Sequence, residues 1–171
     1  MLLGAHDKTG AQGWVLNGKP LLTAKKLLED ADLVPPGITL PDTLAFHTPV
    51  RVGGPVMPGS AWILYKQGNT ATPAFAGEHV LGNGYFVTGA REAIEALARA
   101  EGPEEFRMFL GYAGWGEEQL EGEIARGGWL PHDVLPELLF DVAADALWDQ
   151  AYQRAVGAPP MAFTGTVRGQ A

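Results

Sequence analysis

Along this chain the spacing of apolar side chains changes period several times, and each change marks an element. Phe106, Met108 and Leu110 alternate with Arg107 and Phe109, the period of two expected of a strand buried on both faces. Gly111, Gly114 and Gly116, with Tyr112 and Trp115 among them, break the alternation and read as a glycine-rich turn. From Glu117 the spacing becomes helical, with Leu120 and Ile124 four residues apart on one face. Gly127-Gly128 stops that helix, and Trp129-Leu130 opens an extended segment. The unit predicted for residues 107–130 is therefore strand, glycine-rich turn, helix, strand.

The rest of the chain follows the same logic. Residues 1–5 and 12–17 read as the strands of a hairpin turned at Asp7-Lys8-Thr9-Gly10. Thr23 caps a helix reaching Ala31, with Leu27, Leu28 and Ala31 inward, and Pro35-Pro36-Gly37 ends it. Residues 38–48 read as a proline-containing connector, residues 50–52 as a strand entering the Gly53-Gly54-Pro55 turn, and residues 61–65 as a strand. A polar loop over 67–77 precedes two short strands, 78–81 and 85–88, joined through Asn83-Gly84, a pair suited to a turn with two positive φ angles. Thr88 then caps a helix over 90–100 whose inner stripe is Ala90, Ala93, Ile94, Leu97 and Ala98. A turn at His132-Asp133, a strand over 138–140 and a helix capped by Asp141 complete the order, with Leu147, Trp148, Ala151, Tyr152 and Ala155 on that helix's inner face. Helices and hairpins are mixed without strict βαβ alternation, so the fold class is α+β in a single domain over 1–157, followed by a disordered tail over 158–171.

Composition narrows the function. The 171 residues include no cysteine, which removes disulfides, thiolate metal sites and thiol chemistry. No apolar run approaches membrane-spanning length, and the start is too short and wrongly charged for a signal peptide, so a cytoplasmic protein is expected. The net charge is −8, and Lys25-Lys26 is the only adjacent basic pair. Affinity for nucleic acid rests on neutralising phosphates from a basic face, which this chain lacks, so direct nucleic-acid binding is disfavoured.

Few residues offer chemistry. The run from Gly111 to Gly116 sits where an anion-binding turn would, but its G-x-x-G-x-G spacing reverses the dinucleotide fingerprint and no Lys-Ser/Thr pair follows. Glu117 and Glu118 stand at the helix start; at a few ångströms each would repel a phosphate charge by roughly 3 kcal/mol, more than the helix's half charge can offset. Ser60 lacks a nucleophile elbow, and His6, His47, His79 and His132 lack metal or catalytic spacing, so no catalytic residue, metal or cofactor is assigned. Arg107 is as free to pair with Glu123 or Glu101 as to bind a ligand. Tyr112, Trp115 and Trp129 read as core or subcore anchors. The candidate ligand or partner groove joins Gly53, Gly54 and Pro55 to Tyr112, Trp115, Gln119 and Glu123, with Gln119 and Glu123 sharing one helix face.

These motifs also resemble a family. The run Gly111-Tyr112-Ala113-Gly114-Trp115-Gly116, followed by Gln119-Leu120-Glu121, Ile124 and Trp129-Leu130, is similar to the signature of the AlgH/YqgE proteins. Gly53-Gly54-Pro55-Val56, Trp14-Val15-Leu16-Asn17 with Lys19-Pro20, and Leu139-Phe140-Asp141 with Trp148 match in the same order. The resemblance implies a bent, mixed or antiparallel sheet forming a pseudo-barrel with helices packed around it, in a bacterial cytosolic protein labelled a transcriptional regulator. With the acidic charge, that favours a non-catalytic regulatory protein acting on a protein or small ligand. The alternative is an enzyme working between the two glycine motifs, with Tyr112, Gln119 or Glu123 in acid–base roles.

The resemblance also implies a further strand upstream of residue 1. Without it the first strand keeps an open edge, which invites self-association. This chain is expected to be less soluble than one extended upstream, or to dimerise; sedimentation showing a well-behaved monomer with a sharp melting transition would count against that.

Overall fold

The computed structural model describes residues 1–67, 75, 77–133 and 136–157. Strands β1 (Leu2–Asp7) and β2 (Gly10–Trp14) form the opening hairpin, and β3 (Pro20–Thr23) leads into α1 (Ala24–Asp30). α2 (Leu44–His47), β4 (Pro49–Val52) and β5 (Val56–Lys66) follow. β6 (His79–Gly82) and β7 (Tyr85–Thr88) make a second hairpin before α3 (Arg91–Ala98). β8 (Phe106–Trp115), α4 (Gln119–Ala125), α5 (Pro136–Phe140) and α6 (Leu147–Val156) complete the described order.

The strands lie in the order β1-β2-β8-β5-β7-β6, with β3 and β4 branching off beside β8. All pairs are antiparallel except β4 with β8. The two ends of this path approach each other: a Cβ placed on Gly4 of β1 would lie 3.3 Å from that of His79 in β6. The result is a nearly closed barrel with six described helices around it, the α+β fold expected from the resemblance.

β8 is the spine. One edge pairs with β5, from Tyr65↔Phe106 to Ala61↔Leu110. The other edge is shared, since β4 holds Phe109 and Leu110 while β2 holds Ala113, Gly114 and Trp115. Phe106 and Met108 face a core built with Leu28, Phe46, Ile63, Tyr65, Ala93 and Leu97. Phe109 faces the opposite core, with Trp14, Leu64, Val87, Leu139 and Leu147. The alternation read from 106–110 is therefore borne out, and both faces are buried.

The glycine-rich turn is not a turn. β8 continues through it to Trp115, because its backbone groups find ladder partners in β2, and Tyr112 and Trp115 suit a pleated surface. Gly111 supplies the bend: its φ of +70° is open to glycine at little cost, and opposite it residues 57–60 of β5 bulge out between the Val56↔Tyr112 and Ala61↔Leu110 pairs.

Other departures have local causes. The helix after β8 begins at Gln119, with Glu118 left-handed before it. The connector over 38–48 contains α2, which buries Phe46. Residues 138–140 are helical; so short an apolar run cannot distinguish strand from helix, and Pro136 with Glu137 at the start suits a helix. Thr88 ends β7 and Ala90 stands at the cap of α3, the Thr88 hydroxyl oxygen accepting from the Ala90 N–H. Asp141 caps nothing; α6 starts six residues later. Ala31 and Trp148 face outward, and Trp129-Leu130 is not a strand. The Thr23 cap of α1 and the Asn83-Gly84 hairpin stand as expected, with φ of 53° and 79° in the latter. The expected tail over 158–171 and most of the 67–77 loop lie outside the described residues.

Gly53 and Gly54 sit where β4 gives way to β2 along β8. A Cβ on Gly54 would lie 2.2 Å from the carbonyl carbon of Tyr112, and one on Gly53 would lie 2.4 Å from the Gly111 oxygen. Backbone cannot yield as a side-chain end can. Gly54→Ala is expected to lower stability by about 3 kcal/mol or more, or to prevent folding. Gly59→Ala, with no atom within 4 Å of the new methyl, should stay within about 0.5 kcal/mol of the parent in urea unfolding.

Candidate functional site

The seven groove candidates fall into two neighbouring groups along β8. In the first, the Gly53 N–H donates to the Leu110 carbonyl at 2.8 Å, and the Gly53 carbonyl accepts from the Val15 N–H at 2.8 Å. Gly53 and Gly54 are buried backbone, and Pro55 is exposed beside them. Tyr112, half-buried, meets Trp62 edge-to-face at 5.7 Å between ring centroids. The two glycine motifs do meet, by direct packing of one backbone on the other.

The second group gathers at the far end of β8. Glu123, on α4, accepts three hydrogen bonds: Oε2 takes the indole N–H of Trp129 at 2.6 Å and that of Trp115 at 3.1 Å, while Oε1 takes the Gln119 amide at 3.0 Å. Gln119 also turns back, its Oε1 accepting from the Gly116 N–H at 3.1 Å, so the start of α4 is tied to the end of the strand. The two indoles meet edge-to-face at 5.8 Å. The Trp129 N–H above all, then Gln119 and Trp115, holds the Glu123 carboxyl below the usual carboxylate range. Helical spacing foretold the Gln119–Glu123 contact; Trp129 joins through the Gly127-Gly128 loop, which spacing does not reveal. Trp115 is half-buried, the position of a subcore anchor, and Trp129 is 37% exposed, so neither lies in the core.

Arg107 pairs with neither Glu123 nor Glu101. Its guanidinium donates to the carbonyls of Phe140 at 3.0 Å and Val142 at 3.2 Å and lies over the Phe140 ring, a fixture for the chain leaving α5. Burial pushes its pKa down. The Ser60 hydroxyl donates to the Met57 carbonyl and accepts the Trp62 indole N–H. His6 bonds Glu121 at 2.5 Å, His47 bonds Asp42, and His132 bonds the Asp133 carbonyl. His79 packs beside Trp14 and Trp62, where burial lowers its pKa and favours the neutral ring. Among the described residues no three His, Asp or Glu side chains gather as a metal site.

Sequence reasoning missed the cluster of tilted rings formed by Trp14, Trp62 and His79, and two surface hollows. One, of about 420 Å³, is floored by Phe46 and Leu97. The other, of about 350 Å³, lies between Met57, Trp62 and Gly89. None of the seven groove candidates lines either. No helix of the described residues is long and apolar enough to cross a membrane.

Comparison with known proteins places this geometry in a family. Residues 1–160 match the family model described as AlgH-like. A UPF0301 protein of Anaeromyxobacter dehalogenans is 36% identical over 171 residues, spanning 95% of this chain and 81% of its own length. One from Shewanella baltica is 39% identical over 153 residues, covering 89% of this chain and 78% of the relative. The solution structure of the AlgH protein from Pseudomonas aeruginosa superposes with a TM-score of 0.69 at 28% identity, covering 99% of this chain and 84% of that one. A crystal structure of a protein from Corynebacterium diphtheriae, 19% identical with a TM-score of 0.64, shares the fold over 90% of this chain and 75% of its own.

The Glu123 cluster sets a pH dependence. Its folded-state pKa is depressed, so its contribution is present above the unfolded value of about 4.3 and is lost as pH falls through the lower folded value. Near-ultraviolet circular dichroism of the tryptophans should hold steady down to about pH 4 and change below it. In Glu123→Leu that acid step should be absent, and Trp129 should be more readily quenched by acrylamide at neutral pH.

Proposed function

The chain belongs to the AlgH-like family, and we propose that it works there by binding rather than by catalysis, as a cytosolic regulator contacting a protein or small ligand. The contact surface is the rim of β8 where Gly53, Gly54 and Pro55 meet Tyr112 and continue to Trp115, Gln119 and Glu123. The observation that carries this reading is the condition of Glu123. A general acid near neutrality needs a carboxyl whose pKa is raised and whose oxygen faces a substrate. Glu123 has both oxygens taken by three N–H donors that push its pKa down. Such a carboxylate orders the two indoles into a fixed, partly exposed aromatic edge, and rigid aromatic side chains beside polar groups suit recognition.

Charge bears on the regulatory label. A surface of net charge −8 repels the phosphate backbone, so any effect on transcription is indirect, through the partner. Titrated with labelled duplex DNA at about 50 mM salt, the protein should show no binding, whereas a Kd tighter than roughly 10 µM would overturn this. Crosslinking from Trp115→p-benzoylphenylalanine in cells should capture a defined partner, or a metabolite screen should raise Tm. If neither happens, or if turnover is found that Glu123→Gln abolishes, the binding reading fails.

A further inference from the structure

Trp115 and Trp129 stand at the far end of the β8 rim, each beside glycines that carry no side chain to shield it. Gly114 and Gly116 flank Trp115 and are exposed, and exposed Gly127 and Gly128 precede Trp129. The two ring planes lie 78° apart with centroids separated by 5.8 Å, so the indoles form two walls of a near right-angled corner. Trp129 is 37% exposed and Leu130 beside it 52%, which leaves apolar surface open there.

Hydrogen bonding narrows what such a corner can hold. Both indole N–H groups are engaged by Glu123, and the Gln119 amide donates to the same carboxylate. An anion or a neutral acceptor therefore finds no free indole donor. The ring faces remain. An aromatic face carries negative charge, and an N–H donated to a carboxylate pushes further electron density into its ring. Among the described residues no Lys or Arg stands over either indole; the cations that cover a ring are Lys66 on Tyr85 and Arg107 on Phe140.

The surrounding charge has the same sign. Trp129 first, then Gln119 and Trp115, hold Glu123 in its ionised form, and Arg126 acts on it least. Glu117 and Glu118, exposed ahead of α4, form no ion pair among the described residues. Glu121 is already engaged by His6.

We propose that the corner between Trp115 and Trp129 holds a small alkylated ammonium ion, its charge against the ring faces and in the field of Glu123, Glu117 and Glu118. The inference rests on the β8 reading and names the ligand of that surface. Neither hollow is lined by these rings, and two walls accommodate one ammonium headgroup where a peptide needs a groove.

Choline and its uncharged carbon isostere, titrated into the full chain while the indole N–H resonances are followed, test it. Choline should shift the Trp115 and Trp129 signals with a Kd of roughly 1–10 mM and leave that of Trp148 in place. The isostere should bind at least tenfold more weakly. Trp129→Leu should abolish the shift at Trp115, and fluorinated tryptophan should weaken binding because fluorine drains the ring faces. Glu117→Lys with Glu118→Lys should weaken it severalfold, while Trp148→Leu, on α6, should change nothing. Equal binding of the isostere would overturn the cation while leaving the β8 edge a binding surface. Tighter binding of a trimethyllysine peptide than of choline would overturn the small ligand. The absence of any shift with either probe at about 100 mM would overturn the proposal outright, and crosslinking from Trp115→p-benzoylphenylalanine would then judge the wider reading by itself.

Discussion

The fold depends on one close approach of two backbones. Gly53 and Gly54 lie against Gly111 and Tyr112 with no room for a methyl group, and at that point β8 changes neighbour from β4 to β2. A strand flanked continuously by the same neighbours would extend as an open, twisted sheet. Here the positive φ of Gly111 and the bulge of β5 bend the strand, and the carbonyl of Gly53 accepts a hydrogen bond from the Val15 N–H just beyond β2. The bend brings β1 round toward β6 and nearly closes the barrel. Edges are thereby shortened, which reduces the unpaired backbone open to other chains.

The two cores follow from the same strand. Since β8 alternates Phe106 and Met108 with Phe109, each face must be covered, and different parts of the chain do so. α1, α2 and α3 cover one face, while the β1–β2 hairpin, α5 and the start of α6 cover the other. Arg107 falls on the second face by the same alternation. A guanidinium there needs acceptors, and the carbonyls of Phe140 and Val142 supply them, so a charge that looked available for a ligand holds the chain between α5 and α6.

How much of this was legible in sequence depends on how local its cause is. The strand over 106–110, the Thr23 cap and the Asn83-Gly84 hairpin are each set by a few adjacent residues, and reading them in order was enough. The run from Gly111 to Gly116 misleads because glycine density suggests a turn, whereas β2 and Val56 in space give its backbone a ladder. Trp148 shows the limit of helical spacing. It lies next to Leu147 on the apparent inner stripe, yet α6 packs mainly through Leu147, and Trp148 stacks outside on Tyr152. At the candidate site, the i, i+4 pair Gln119–Glu123 was legible. The arrival of Trp129 at the same carboxylate was not, because a loop of two glycines carries no periodic signal.

Glu123 shows why a residue type alone assigns no chemistry. A glutamate beside aromatic residues would gain acid strength or lose it according to what those rings offer. An apolar ring face raises the carboxyl pKa by excluding water, while an indole N–H lowers it by donating to the anion. In this protein the edges of two indoles, not their faces, reach the carboxylate, and the balance falls on the side of the ion. The same carboxylate that sequence could assign to acid–base work becomes a fastener for Trp115 and Trp129. What it leaves exposed is the aromatic edge that it holds in place.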